Sequence, residues 1–179
     1  MPEKTLFPIT TEQQNLVIQA TYAWIEKASE IYDRHIQAID VVFDLKGRTS
    51  GMFCTRSTSV KDRQLWIRYN PWIFAKYFED SLATTVPHEV AHYVCFLLYG
   101  RKHKPHGKEW KAIMNQFGVP AKATCSLDIS DLPQKRLKRF SYLCPCSTHE
   151  LTSIRHNRVV SGRSRYLCPK CREELISVV

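Results

Sequence analysis

Residues 86–110, "VPHEVAHYVCFLLYGRKHKPHGKEW", constrain this chain more than any other stretch. They contain His-Glu-x-x-His at His88, Glu89 and His92, followed by an apolar run. Residues four apart lie one above the other on a helix, so both histidines can face a single metal ion. Glu89 is rotated by about 100° from His88 and is better placed beside a water molecule than as a ligand. We therefore predict a helix that carries a zinc site with Glu89 as general base.

Pro87 indicates where this helix begins. A proline has no backbone N–H to donate, which costs nothing only within the first turn of a helix. We therefore expect Thr84 to be the N-cap and the helix to extend through residue 99, with Val90 and Val94 packed in the core. A start at Ser81 would place Pro87 deeper in the helix and kink it.

A catalytic zinc site needs a third protein ligand besides the two motif histidines. Zinc lowers the pKa of a bound water toward ~7, and a neighbouring carboxylate then takes the proton. The downstream residues that could complete the ligand set are His103, His106 and Glu109. Spacing alone leaves this choice open.

The stretch strongly resembles the active-site region of the SprT family of zinc metalloproteases, in which HExxH is followed by a loop and then His-Gly-x-x-Trp. Matched to that pattern, the metal ligands fall on His88, His92 and His106, and the general base falls on Glu89. The segments "VVFDLKGRTSG", "RYNP" and "YLCPC…HELTSIRHNRVV…YLCPKC" are similar to the family too. The resemblance implies peptide-bond hydrolysis. The related protease Spartan cleaves proteins covalently trapped on DNA, which implies protein substrates bound to or crosslinked with DNA.

Four cysteines near the end of the chain form two close pairs, Cys144-x-Cys146 and Cys168-x-x-Cys171. Two such pairs that share one zinc ion are typical of a zinc ribbon, and a structural zinc site is closed by four protein ligands. The single residue inside the first pair is tight for two ligands on one turn. His149 is therefore an alternative ligand in place of Cys144. With the histidine site, this predicts two zinc ions per chain, one catalytic and one structural.

The net charge of +9 is concentrated in the same region. Residues 1–133 carry 16 Lys and Arg against 14 Asp and Glu, whereas residues 134–172 carry ten against one. Basic surface of this density indicates binding to a polyanion, and we expect single-stranded or damaged DNA. The basic run "QKRLKRF" begins this region. The nucleic-acid-binding candidates in the insert between the cysteine pairs are Arg155, Arg158, Arg163 and Arg165. Three aromatic residues could stack on bases or pack the ribbon core instead: Phe140, Tyr142 and Tyr166.

The residues before the motif predict a long helix and three strands. The helix would start with a capping box of Thr11 and Gln14. Its apolar face would comprise Leu16, Ala20, Trp24, Ala28 and Ile31. "IDVVFDL" and "MFCT" predict two strands joined by a hairpin turn at "KGRTSG", and "RQLWIRYN" predicts a third. Three isolated cysteines are expected in or near the core: Cys54, Cys95 and Cys125.

These features predict an α+β chain with two domains. A small zincin-like metalloprotease domain, with helices and a short antiparallel sheet, would cover residues 1–133, and a basic zinc ribbon residues 134–179. One alternative is a nucleic-acid-binding zinc protein whose HExxH site is structural or vestigial, and another is a zinc amidase or peptidase of small substrates. The chain begins without a signal-peptide pattern, and "YVCFLLY" is too short to cross a bilayer. We therefore expect a cytoplasmic monomer without membrane contact.

Overall fold

The computed structural model describes residues 6–57, 63–124, 127–132 and 138–178. A π-helical turn, Ser81–Thr85, directly precedes α4. The helices are α1 Thr11–Ile31, α2 Pro71–Lys76, α3 Phe78–Asp80, α4 Val86–Tyr99, α5 Lys108–Phe117 and α6 Ser153–Val160. The strands are β1 Asp40–Val42, β2 Gly51–Ser57, β3 Arg63–Tyr69, β4 Arg139–Cys144, β5 Ser147–Thr152 and β6 Ile176–Ser177. The predicted α+β class is confirmed.

The chain divides into two compact units, Met1–Gln134 and Lys135–Val179. The boundary falls within residues 133–137, which lie outside the described residues. Most of the basic run "QKRLKRF" and the isolated Cys125 also lie outside them. In the described parts of the chain, every helix is too short or too polar to cross a membrane.

The first unit contains a three-stranded mixed sheet in the order β1-β3-β2. β2 runs antiparallel to β3, with Gly51 opposite Tyr69, and β1 runs parallel to β3, with Val41 opposite Ile67. The predicted hairpin between β1 and β2 is therefore wrong. β3 is the central strand, so both of its edges are hydrogen-bonded, and its residues Ile67 and Tyr69 are fully buried.

The cap of α1 lies one residue earlier than the predicted box of Thr11 and Gln14. Thr10 is the N-cap, and its hydroxyl accepts a hydrogen bond from the Gln13 N–H at 3.2 Å. The Gln13 side chain accepts in return from the Thr10 N–H at 3.0 Å. This reciprocal pair satisfies two backbone donors that the helix itself leaves free.

The buried face of α1 matches the predicted one in part, because Ala28 is buried and Ala20, Trp24 and Ile31 pack against the core. Leu16 is half exposed, whereas the buried residues are Val17, Thr21, Ile25 and Ala28. Because Thr21 is polar, the periodicity of apolar residues does not identify it as part of the buried face. Its hydroxyl donates to the Val17 carbonyl and lies 3.1 Å from the Tyr69 hydroxyl, so its burial leaves no polar group unpaired.

The helix that carries the HExxH residues is entered through the π-helical turn. The prediction of Thr84 as N-cap is wrong, because its hydroxyl donates to the Asp80 carbonyl inside a segment that is already helical. The Val86 N–H bonds to the Ser81 carbonyl, five residues earlier. This wider turn provides space for the ring of Pro87, which would clash with the preceding carbonyl in a regular α-turn. Pro87 consequently lies in the first turn of α4.

α4 is the central helix of the first unit and contacts α1, α5 and β2. Its fully buried residues are Val86, Val90, Ala91, Val94 and Cys95. Burial of such side chains stabilises a fold by about 1.5–3 kcal/mol for each large one. α4 is therefore held firmly, and the position of its polar residues is fixed by core packing.

Asn70 ties the sheet to the helical part of the unit. Its side-chain oxygen accepts from the N–H groups of Trp72 and Ile73 and so caps α2. Its amide nitrogen donates to the carbonyls of Gly47 and Thr49, in the segment that leads into β2. Asn70 is fully buried, so these bonds are protected from water and fix where β2 begins.

The second unit contains an antiparallel sheet in the order β5-β4-β6, with α6 following β5 directly. Its core is small, and the buried residues are Tyr142, Leu151, Cys168 and Leu175. A core of this size is marginal by itself, and units of this kind are commonly stabilised by a metal ion. The architecture is compatible with the predicted zinc ribbon.

Candidate metal centres

Three histidines of the first unit converge on one point. The Nε2 atom of His88 lies 3.2 Å from that of His92 and 2.9 Å from that of His106, and the Nε2 atoms of His92 and His106 are 3.0 Å apart. Nitrogen ligands on a tetrahedral zinc ion are separated by about 3.3 Å, given Zn–N distances of 2.0–2.1 Å. The donor set and its spacing therefore fit zinc.

The loop between α4 and α5 supplies His106. This residue has φ 56°, a left-handed conformation that is uncommon outside glycine, and the Gly107 N–H bonds to the Lys104 carbonyl beside it. Of the other two candidates for third ligand, His103 is turned away, with its Nδ1 2.7 Å from the Gly100 carbonyl. Among the described residues, the cluster that could hold a metal here contains neither His103 nor Glu109.

Trp110 packs against all three rings of the histidine cluster. Its ring centroid lies 4.7 Å from those of His88 and His106 and 5.6 Å from that of His92. Trp110 is fully buried, so its side chain belongs to the core of the first unit. The indole thus holds the imidazoles in fixed orientations, which matters because ligand geometry controls metal affinity.

The histidines are held neutral in this environment. Burial, with a contribution from His106, lowers the pKa of His88 to about 4. Burial also lowers the pKa of His92 to about 3, assisted by His88 and His106. A hydrogen bond to the backbone of Lys122 acts in the opposite direction on His88 and orients its ring. Neutral imidazole is the form that binds a metal ion, so protons compete little for this site near neutral pH.

Glu89 is buried beside the cluster, with 6% of its surface exposed. Its Oε2 accepts a hydrogen bond of 2.8 Å from the Phe53 N–H of β2. Burial raises the pKa of Glu89 to about 7, and this hydrogen bond opposes the rise. A carboxylate whose pKa lies near neutrality can both accept and return a proton, which is the requirement for a general base and acid.

Gly51 is a functional residue that the sequence did not reveal. A Cβ atom on Gly51 would lie 2.6 Å from Glu89 Cγ and 2.8 Å from its Oε1. Only glycine leaves room for the carboxylate at this position. The sequence suggested a turn at Gly51, whereas a glycine at the start of a strand can also mark a close approach by another group.

Four cysteines of the second unit form the other cluster. The Sγ atom of Cys146 lies 3.5 Å from that of Cys144 and 3.6 Å from that of Cys168. With Cys171 included, the four sulfur atoms lie within 4.8 Å of one another. Sulfur ligands on a tetrahedral zinc ion are about 3.8 Å apart, given a Zn–S distance of about 2.3 Å. The donors therefore also fit zinc.

His149 lies next to this cluster, with its Nε2 3.3 Å from Cys144 Sγ. The tight spacing of the first pair does not prevent Cys144 from reaching the other three sulfur atoms. Burial raises the pKa of Cys144, but hydrogen bonds from His149 and Cys146 outweigh it and lower the pKa to about 5. The Lys170 N–H also points to Cys168 Sγ at 3.4 Å. Such bonds favour the thiolate form that binds metals.

The basic residues of the second unit lie on its surface. The four arginines singled out from the sequence are all exposed: Arg155, Arg158, Arg163 and Arg165. The guanidinium of Arg155 lies 5.5 Å from the ring centroid of Tyr166, and Arg165 is 3.8 Å from the carboxylate of Glu174.

Of the aromatic residues considered for base stacking, Tyr142 is fully buried and belongs to the core. Phe140 stacks on His156 at 3.7 Å between ring centroids, so one of its faces is already covered. Tyr166 is partly buried against the same core. The core-packing alternative therefore holds for Tyr142.

Comparison with known proteins gives one consistent family. Residues 21–131 match the SprT-like family. The chain is 34% identical over 165 residues to "Protein SprT" from Salmonella newport, Salmonella typhi and Salmonella enteritidis, covering 92% of this chain and 93% of each relative. No solved structure matches this chain. The matched region contains all three clustered histidines and Glu89, and both the family match and these relatives show that the chain belongs to the SprT-like family.

Proposed function

We propose that this protein is a zinc-dependent metalloendopeptidase that cleaves proteins bound to or crosslinked with DNA. The observation that carries the proposal is the convergence of three neutral imidazoles with the buried carboxylate of Glu89 beside them. The family match supports the metalloprotease part of the proposal. The basic surface of the second unit supports the DNA part.

The first unit would bind zinc through His88, His92 and His106. Zinc held there would act as a Lewis acid and lower the pKa of a water molecule to about 7. Glu89 would accept the proton of that water through Oε1, since Oε2 is engaged by the Phe53 N–H. Glu89 would then donate the proton to the amine that departs when the peptide bond breaks.

The second unit would bind zinc through Cys144, Cys146, Cys168 and Cys171, with His149 as a hydrogen-bond partner of Cys144. The alternative ligand set, with His149 in place of Cys144, has less support because all four sulfur atoms already lie within 4.8 Å of one another. This zinc would stabilise a unit whose own core is small, and it would present the basic helix α6.

The exposed arginines of this unit would bind the phosphates of single-stranded or damaged DNA. Arg155 and Arg158 lie on α6, and Arg163 and Arg165 follow it. Binding through these residues would bring the protease close to proteins on the same DNA and raise their local concentration. Chemistry at the histidine site would be unchanged.

The test measures the cleavage rate of a DNA-bound protein against DNA concentration at two salt concentrations. It compares the wild-type chain with a variant in which Arg155, Arg158, Arg163 and Arg165 are replaced by glutamate. Each phosphate contact contributes about −0.7 to the logarithmic salt dependence of single-strand binding, so the variant should lose about 3 units of slope. Its cleavage should respond to DNA much less than that of the wild type.

Two controls make the comparison specific. The zinc content of the charge-reversed variant should equal that of the wild type, because none of the replaced arginines is a proposed ligand. Glu89→Gln should abolish cleavage both with and without DNA. Equal DNA-stimulated cleavage by wild type and the charge-reversed variant would contradict the role assigned to the ribbon.

A further inference from the structure

The segment that runs from the loop after α4 into the first turn of α5 carries the net positive charge of the first unit. We define the basic loop as residues 101–111, which include the first turn of α5 and contain five Lys and Arg and one acid, Glu109. The rest of residues 1–133 contains 11 Lys and Arg against 13 Asp and Glu. The first unit would therefore be negative without this loop, so its positive charge is a local feature and not a general property of the surface.

The cations of the basic loop are exposed and without acidic partners in the described structure. All five are open to solvent: Arg101, Lys102, Lys104, Lys108 and Lys111. The ion pairs among the described residues of the first unit involve Arg68 and Lys76, and none of these five. Exposed cations without carboxylate partners produce a positive potential that extends into the solvent.

The backbone of the basic loop is held in place. The Gly107 N–H bonds to the Lys104 carbonyl, the Lys111 N–H bonds to the Gly107 carbonyl, and His103 contacts the Gly100 carbonyl. Trp110 anchors the end of the loop in the core. A preorganised loop loses less entropy when it binds a partner.

The basic loop adjoins the metal site, because Lys104 and Lys108 flank His106 in sequence on both sides. Lys122, whose backbone hydrogen-bonds to His88, also has an exposed side chain. Tyr99 lies immediately before the loop and is 48% exposed, which leaves an aromatic face for a base. Positive charge therefore flanks His106 on both sides in sequence, and an exposed aromatic side chain lies at the end of the helix that carries His88 and His92.

We propose that the basic loop is a second nucleic-acid-binding surface, which holds the phosphodiester backbone of single-stranded DNA next to the histidine cluster. The proposal rests on the proposed function and adds a DNA contact within the catalytic unit itself. A DNA strand bound there would bring an attached protein close to the residues that cut it.

The chemistry of the basic loop favours a nucleic acid over an acidic protein. Protein–protein interfaces have an apolar core and are depleted in lysine. Residues 101–111 contain four lysines, and their large apolar residue, Trp110, is fully buried. Phosphate contacts, in contrast, are made mainly by Lys and Arg, and aromatic side chains stack on unpaired bases.

The test is binding of a labelled single-stranded oligonucleotide to the full chain, measured by fluorescence anisotropy over a range of salt concentrations. The variant combines Lys102→Gln, Lys104→Gln and Lys108→Gln. The matched control removes three exposed cations elsewhere in the same unit, through Arg34→Gln, Lys46→Gln and Arg56→Gln. Loss of three phosphate contacts should reduce the logarithmic salt slope by about 2 and the affinity at 0.1 M salt by about 100-fold, with little change in the control.

Three results would overturn the proposal. The loop variant could bind DNA as the wild type does, or both triple variants could weaken equally, which would indicate net charge alone. The loop variant could also lose affinity for polyglutamate but keep its affinity for DNA, which would assign the loop to an acidic protein. Because binding is measured without cleavage, failure of this proposal is distinguishable from failure of the protease assignment, which a protein-cleavage assay with Glu89→Gln tests.

Discussion

Gly51→Ala tests whether the contact between β2 and Glu89 matters for catalysis. The new Cβ would lie 2.6 Å from Glu89 Cγ and 2.8 Å from Oε1. Ordinary contacts between carbon atoms are about 3.5–4.0 Å, so the carboxylate or the strand must move by about 1 Å. Such a movement would disturb the hydrogen bond of 2.8 Å between the Phe53 N–H and Oε2.

The expected losses of activity and stability follow from the size of this displacement. A misplacement of about 1 Å in a catalytic group reduces the rate by about 100-fold. Overpacking a well-filled site also costs about 1–3 kcal/mol of folding free energy. We therefore expect a large fall in kcat, a smaller change in KM and a modest loss of thermal stability. Zinc content should stay at the wild-type value, because the atoms nearest the new methyl group belong to Glu89 and not to a proposed zinc ligand.

The assay is steady-state cleavage of a flexible protein substrate, with zinc measured in the same samples. Gly118→Ala is the matched control, because Gly118 has φ 74° and a Cβ added there would meet no atom within 4 Å. That change strains the backbone by roughly 1–2 kcal/mol without touching Glu89. A Gly51→Ala variant with wild-type kcat would refute the idea that β2 positions the carboxylate.

Three further changes separate the two metal sites and their support. His106→Ala should lower the zinc content from about two ions per chain toward one, as measured by elemental analysis. A content that does not change would contradict the third-ligand assignment. Cys168→Ser should remove the ribbon zinc and weaken the salt-sensitive DNA binding, while the zinc of the histidine site is retained. Loss of both ions together would argue against two separate sites. Trp110→Ala should lower the free energy of unfolding by about 3–5 kcal/mol and weaken zinc retention, as followed by denaturant titration and metal exchange. Unchanged zinc retention would show that the indole does not support the histidines.

Features encoded over a few residues were predictable from the sequence. Both HExxH histidines lie on one helix, and the cysteine pairs lie close in sequence, so local geometry alone limits where they can point. His106 could not be chosen over His103 or Glu109 by spacing. In the structure, His106 joins the motif histidines and has a left-handed backbone conformation. This conformation is uncommon for a histidine, and neither spacing nor hydrophobic pattern predicts it.

Features that depend on contacts between distant segments were not predictable. The position of β3 between β1 and β2 depends on backbone pairing between segments that are separated in the chain, and a pattern within one strand does not report this. The buried Thr21 was missed because its partner, Tyr69, is far away in the sequence. The contact of Gly51 with Glu89 has the same origin, since it joins a strand to a helix through tertiary packing.

The measurement that tests the central claim most directly is cleavage of a protein substrate by Glu89→Gln, with zinc determined in the same preparation. The amide of glutamine cannot accept a proton from water, whereas its size and shape preserve the packing of the site. We predict that the variant keeps about two zinc ions per chain and its fold, and that its cleavage rate falls by at least about 100-fold. Cleavage at the wild-type rate by a zinc-loaded Glu89→Gln protein would contradict the role of Glu89 as general base.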